Sequence, residues 1–259
     1  MSLTADYHVH TNYSDGRPLP EMLSAAADAG LEAVGFADHC NVSERSPLAA
    51  TKRELGFNLD LTYERRRAAL EALAAETGLR LYDAVELDYD PRDEAAIEAF
   101  LEEAGFEYAI GSVHEMDGTV IFDQDHFAAK SESAIVDLID DYYARLCALI
   151  ESELFDVVAH LDAIERTPAL RGYTTANHWQ AVADALAASS TLPEINAGAI
   201  DGYGEYHPEP AFLEALRAAD VSFVPGTDSH RGPELEARTA ALATRFGELG
   251  LEPAAPPSL

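Results

Sequence analysis

Residues 6–10 read Asp6-Tyr7-His8-Val9-His10, and this short run sets the fold class of the whole chain. Its side chains alternate as they do on a β-strand, where residues i and i+2 point to the same side, so the two imidazoles converge on one spot. Six further short runs, 33–37, 79–85, 108–113, 157–160, 193–196 and 221–225, share its apolar, strand-like character, and each passes into polar or charged residues at its C-terminal end. Between them lie alanine-rich stretches with apolar residues three and four apart, as in Ile135, Leu138, Ile139, Tyr142, Leu146, Leu149 and Ile150. Seven strand-helix pairs in unbroken alternation predict an α/β fold with a parallel sheet or barrel.

Asp90-Pro91 followed by Asp93 and Glu94 reads as a helix start, with a capping side chain, a proline in the first turn and negative charge at the positive end of the dipole. No Pro-, Gly- or Ser-rich linker divides the 259 residues, so residues 1–252 are expected to form one domain. The Pro-Ala-Ala-Pro-Pro composition of 253–259 reads as a disordered tail. Two long polar connections, 40–59 and 115–130, follow strands on one end and are placed to wall the site there.

The charge of −30 arises from 47 acidic against 17 basic residues, of which only Lys52 and Lys130 are lysine. Nucleic acid is not an expected partner, because phosphate backbones call for clustered cations. Such an excess repels itself in dilute buffer and is screened in concentrated salt, which points to a halophilic host. No apolar run suits a membrane span or signal peptide, so a cytoplasmic protein is expected. Cys40 and Cys147 stand far apart and are expected to be reduced thiols, which rules out a zinc site built on thiolates.

Six of the nine histidines, His8, His10, His39, His114, His160 and His230, stand at or just beyond the end of a strand, and three carboxylates, Asp15, Glu86 and Asp228, share that placement. In a barrel of βα units these ends converge on one face. Imidazole and carboxylate together suit Zn, Mn or Fe better than Ca or Mg. Nine ligands exceed what one ion takes, so two or three ions around a bridging carboxylate are expected. Such ions pull the pKa of water toward neutrality and neutralise a phosphate monoester, which makes phosphate-ester hydrolysis the expected reaction. His126, His178 and His207 lack this placement; His178 reads as a structural residue, His126 is open to either role, and His207 is retained as a pocket residue.

His8-Val9-His10-Thr11 with Ser14-Asp15-Gly16, and Gly35-Phe36-Ala37-Asp38-His39-Cys40, resemble the opening motifs of the PHP (polymerase and histidinol phosphatase) superfamily. Val85-Glu86-Leu87-Asp88-Tyr89, Gly111-Ser112-Val113-His114, Ala159-His160-Leu161-Asp162, Glu194-Ile195-Asn196 and Gly226-Thr227-Asp228-Ser229-His230 are similar to its histidinol-phosphate phosphatase branch. The resemblance implies a distorted (β/α)7 TIM-like barrel. It places His8, His10, Glu86 and Asp228 around one metal, Asp15, His39 and His230 around a second, and His114 and His160 with Glu86 around a third. The catalytic roles would fall to Glu86, Asp228, His230 and Arg166, with Arg166, Arg231 and His207 binding a small phosphorylated substrate, L-histidinol phosphate. Glu115, Asp117 or Asp123 would be available to the substrate's ammonium group. A nucleotide, a short oligonucleotide or another small phosphate ester as substrate, or a metal-binding module without catalysis, remain as alternative readings.

Overall fold

The computed structural model describes residues 2–259; residue 1 of the expected domain lies outside them. The chain alternates strands and helices: β1 (Ala5–Val9), α1 (Leu19–Asp28), β2 (Ala33–Cys40), α2 (Ser46–Leu55), α3 (Tyr63–Ala74), β3 (Arg80–Asp88), α4 (Glu94–Ala104) and β4 (Tyr108–Ser112). A small antiparallel hairpin, β5 (Glu115–Met116) and β6 (Thr119–Val120), is followed by α5 (Gln124–Ala128) and α6 (Glu132–Glu151). Then come β7 (Val157–Val158), α7 (Ala176–Ala187), β8 (Leu192–Asn196), α8 (Pro210–Ala218), β9 (Val224–Gly226) and α9 (Gly232–Leu249). Seven parallel strands run in the order β1-β2-β3-β4-β7-β8-β9. Backbone hydrogen bonds from Asp228 N–H to the His8 carbonyl (2.8 Å) and from His10 N–H to the Ser229 carbonyl (3.0 Å) return the last strand to the first. The result is a nearly closed, distorted TIM-like barrel of βα units.

The strands form because helices cover what strand residues would otherwise expose: in β2, seven of eight residues are buried, the pattern of a parallel strand shielded on both faces. Gly35 sits in this strand where a β-carbon would strike the Tyr108 hydroxyl, which donates to the Tyr7 carbonyl at 2.5 Å. On the outside, α6 buries the apolar face read from its spacing, together with Tyr143, and Ser131 caps its start by accepting from Ala134 N–H. Two-residue periodicity carries the ligand residues: Ala37 and Ala84 lie in the core, and His39 and Glu86 stand two residues further on, paired across β2 and β3.

Three local readings are corrected. The helix after Asp90-Pro91 begins at Glu94 with Asp93 at its cap, because the Asp90 carboxylate is taken by Arg92, Arg45 and Arg145. Residues 253–259 dock on the barrel: Ala254 N–H donates to the Phe223 carbonyl (2.8 Å), Ser258 N–H to Asp156 Oδ1 (2.9 Å), and Pro256 is buried. Their composition carries no sign of these long-range partners. The strand expected over 157–160 stops at Val158, since His160 turns at φ 21°.

Candidate metal centre and active site

All nine proposed ligands come together at the C-terminal ends of the strands. Glu86 is the hub, almost fully buried, with Oε2 at 3.3 Å from His8 Nε2, 3.6 Å from His10 Nε2 and 2.7 Å from His39 Nδ1. Its other oxygen lies 3.1 Å from His160 Nε2 and 3.4 Å from His114 Nε2. His10 Nε2 is 3.2 Å from Asp228 Oδ1, and His230 Nε2 is 3.2 Å from Asp15 Oδ1. Three sets of ligand atoms, each within 4.8 Å of one another, emerge: His8, His10 and Asp228; His10, Asp15, His39 and His230; and His39, Glu86 and His114. His10 and His39 each belong to two sets, so the groups interlock more than the one-ion-per-set division implied by resemblance.

The donors fit divalent cations. His8 Nε2, both nitrogens of His10 and Glu86 Oε2 are buried without a hydrogen-bond partner among the described residues, an arrangement that is costly unless a cation lies between them. Burial opposes charge on Glu86, yet His39, His114 and His8 hold its carboxyl well below the usual range. Burial also works against the Asp15 carboxyl, but the hydrogen bond with His230 keeps it ionised far below the ordinary value. His10, desolvated and flanked by His230 and His39, is lowered to about 4 and therefore offers a lone pair at neutral pH. Glu86, Asp15 and His10 are thus in the charge states ligands need, whereas neighbouring carboxylates raise His8, His39, His114 and His230, whose protons a bound cation would have to displace.

Carboxylates behind the ring nitrogens orient the imidazoles. His8 Nδ1 lies 2.8 Å from Glu194 Oε2, and His114 Nδ1 lies 2.8 Å from Asp88 Oδ1, which in turn accepts from Asn41 through its other oxygen. Glu194 and Asp88 belong to the motifs read above, but no role was assigned to them. For Glu194 the available signal is a carboxylate inside the otherwise uncharged strand β8, which demands a buried partner.

A cavity of about 290 Å³ opens above the cluster, lined by Asp15, His39, Leu55, Phe57, His114, Val120, Phe122, His160, Arg166, Asp228 and His230. Its apolar wall comes from the two long connections, Leu55 and Phe57 from the first, Val120 and Phe122 from the second, and spacing could not place them. Arg166 lies with its guanidinium carbon 4.7 Å from the Phe122 ring. Arg231 is directed to solvent and pairs with Glu234 at 3.3 Å, so it does not line this cavity; it borders a shallower polar hollow beside it. His207 is also corrected: it is fully buried behind His160, its Nδ1 2.6 Å from Asp162 Oδ1, and is absent from the cavity wall. Glu115, Asp117 and Asp123 do not line it either; Asp117 pairs with Lys130 and His126, and Asp123 caps α5. His178 caps α7 and meets Asp140. Both cysteines are free thiols, and no helix among the described residues is long and apolar enough to cross a membrane.

The PHP domain family matches residues 6–196. A probable histidinol-phosphatase of Deinococcus radiodurans is 30% identical over 257 residues, covering 96% of this chain and 95% of the relative. Among solved structures, the histidinol phosphate phosphatase of Lactococcus lactis subsp. lactis, in complex with zinc, L-histidinol and phosphate, superposes with a TM-score of 0.75 at 21% identity, over 98% of this chain and 96% of the other. A structure from Listeria monocytogenes gives 0.68 at 16% identity, over 89% and 96%.

Proposed function

The chain belongs to the PHP domain family, and on that premise we propose that it is a metal-dependent phosphomonoesterase that hydrolyses L-histidinol phosphate to L-histidinol and inorganic phosphate. The observation that carries the reading is the convergence of six imidazoles and two further carboxylates on Glu86 beneath an open cavity lined by one arginine. The substrate is supported by the near full-length relative of that name and by the fold neighbour that holds L-histidinol and phosphate.

His8, His10, Asp15, His39, Glu86, His114, His160, Asp228 and His230 would hold two or three ions, zinc, manganese or iron. When bound, such ions lower the pKa of water toward neutrality and offset the charge of a phosphate monoester. Glu86, Asp228 and His230 keep the ligand atoms within reach of one another. His10 stays unprotonated down to about pH 4, so it does not compete with protons for its place at neutral pH. Arg166 reaches the cavity from above and presents a planar fork of donors to two phosphoryl oxygens. Phe57 and Phe122 flank the opening and would exclude water from the far side of the bound ester.

A second reading, hydrolysis of another small phosphate ester, is favoured by the absence of Glu115, Asp117 and Asp123 from the cavity wall, whose carboxylates, Asp15 and Asp228, are both among the proposed metal ligands. A metal-binding module without catalysis has no use for an arginine over an open cavity. The deciding experiment compares phosphate release from L-histidinol phosphate, an aryl phosphate and a nucleoside monophosphate in molar KCl with zinc or manganese, for wild type and Glu86→Ala. Strong preference for the first ester, abolished by Glu86→Ala, supports the reading; a metal-loaded enzyme that prefers another ester overturns the substrate and keeps the chemistry. A cytoplasmic location and a halophilic host remain part of the same proposal, drawn from charge and composition.

A further inference from the structure

We propose that Glu194 is a positioning residue that dictates which ring nitrogen of His8 faces the ligand cluster and, through its second oxygen, pins His160 in the turn that carries its ring to Glu86. The inference rests on the reading of His8 and His160 as metal ligands. Glu194, on β8, is almost fully buried and divides its two oxygens between the turn that follows β7 and strand β1. Oε1 accepts from the His160 backbone N–H at 2.8 Å and from Asn196 Nδ2 at 2.7 Å. The Asn196 amide is itself oriented, since its Oδ1 accepts from Gly198 N–H at 2.7 Å, so Nδ2 faces Glu194. Two donors therefore converge on Oε1, and only an acceptor fits there. Oε2 stands 2.8 Å from His8 Nδ1. Because a carboxylate only accepts, the proton of a neutral His8 belongs on Nδ1, and the Nε2 lone pair is left to face Glu86, 3.3 Å away.

His160 needs its anchor for a different reason. It is a non-glycine residue at φ 21°, a conformation that persists only where the surroundings impose it. The Glu194 contact supplies that constraint at the residue's own N–H, and the ring beyond it meets Glu86 Oε1 at 3.1 Å. Gly226 on the neighbouring strand makes room for the arrangement: a β-carbon there would collide with Glu194 Oε2.

The two-donor clamp makes Glu194→Gln informative. Its amide carbonyl is forced toward His160 N–H and Asn196 Nδ2, which turns the amide NH2 to His8. Nδ1 then becomes an acceptor, the ring proton moves to Nε2, and His8 can no longer ligate, while His160 stays pinned. Zinc titrations with mass-spectrometric metal counts, together with 15N spectra of the histidine rings in the zinc-loaded protein, test this on wild type, Glu194→Gln and Gly226→Ala. The expected result is one ion fewer per chain, or one site weakened about 10- to 100-fold, in Glu194→Gln. Its His8 proton should have moved from Nδ1 to Nε2. Gly226→Ala, which keeps the charge but crowds Glu194 Oε2 and the His8 β-carbon (3.1 Å), should weaken the same site, and the position of the His8 ring proton in its spectra decides the matter if the glutamine variant does not fold. Variants that bind as many ions as wild type with affinities within about threefold, a ratio too small to register a lost orienting contact, and an unmoved His8 proton, overturn the proposal. A wild-type chain that takes up no zinc, manganese or iron overturns the metal reading itself and this inference with it.

Discussion

The guanidinium of Arg166 stands over the ring of Phe122, its central carbon 4.7 Å from the ring centroid. The ring fixes the plane of the fork without neutralising it, which leaves the donors for an anion above the histidine cluster. Arg166→Ala is expected to lower kcat/KM by about 10²-fold, the scale of a lost donor to a developing negative charge. Arg166→Lys should recover little of it, because an ammonium cannot contact two oxygens in the same plane. Phe122→Ala should act mainly on KM. Steady-state phosphate release measures all three, and full activity in the lysine variant would show that only charge is needed there.

Arg66 is fully buried and joins Asp38, at 2.8 Å, to Asp83, at 2.7 Å. Asp38 also accepts from Thr11 N–H at 2.6 Å, the Thr11 hydroxyl at 2.8 Å and the Ser14 hydroxyl at 2.9 Å, so this ion network underlies the loop that carries Asp15. Replacing Arg66 with methionine leaves Asp38 in the core without a cation, while Asp83 keeps Arg67 at 2.7 Å, and a loss of about 3 kcal/mol in urea unfolding is expected. Adding Asp38→Asn should restore part of it. A single variant that loses less than about 1 kcal/mol would assign the loop's order to something else.

The barrel was readable from the chain because each parallel strand is buried on both faces and ends where the polar residues begin. His8, His39, Glu86 and His114 announced the site by that position alone. What escaped reading depends on partners distant in sequence. Asp90 looks like a cap until Arg45 and Arg145 arrive from other elements, and His207 looks like a pocket residue until Asp162 draws it inside. The β5-β6 hairpin has two residues per strand, too few for any period to show. The same limit hid Phe122, which that hairpin delivers to the cavity.

Asp90 gives a pH-dependent test of the arginine cluster. Burial alone would raise its carboxyl, but the hydrogen bonds from Arg92 and the nearby Arg145 and Arg45 hold it down at about 2. A carboxyl depressed on folding contributes stability that is fully present above its ordinary value near 3.8 and is lost as pH falls through about 2. Asp90→Asn is therefore expected to be less stable than wild type at neutral pH by about 2 kcal/mol, the gap closing between pH 4 and pH 2. Urea unfolding of both proteins at pH 7, 4 and 3 in the same salt checks this, and a gap that does not change with pH would mean that the ion pairs are not its source.

Salt should govern stability more than any single substitution. The net charge is −30, and the like charges are adjacent as well as numerous: Glu94, Glu98 and Glu102 follow one another at i,i+4 along α4, and Asp137 and Asp141 do so on α6. Each such pair is repulsive on a helix surface. The screening length falls from about 10 Å at 0.1 M salt to about 3 Å at 1 M, shorter than the spacing of successive turns. Thermal unfolding of the zinc-loaded chain is therefore expected to move upward by about 10 °C or more between 0.1 M and 3 M KCl, and Glu98→Lys with Asp137→Lys should flatten the dependence by removing the central repulsions. A midpoint that does not rise with KCl would instead identify an acidic enzyme fitted to dilute salt, in which metal binding and the arginine networks suffice to hold the barrel against its own charge.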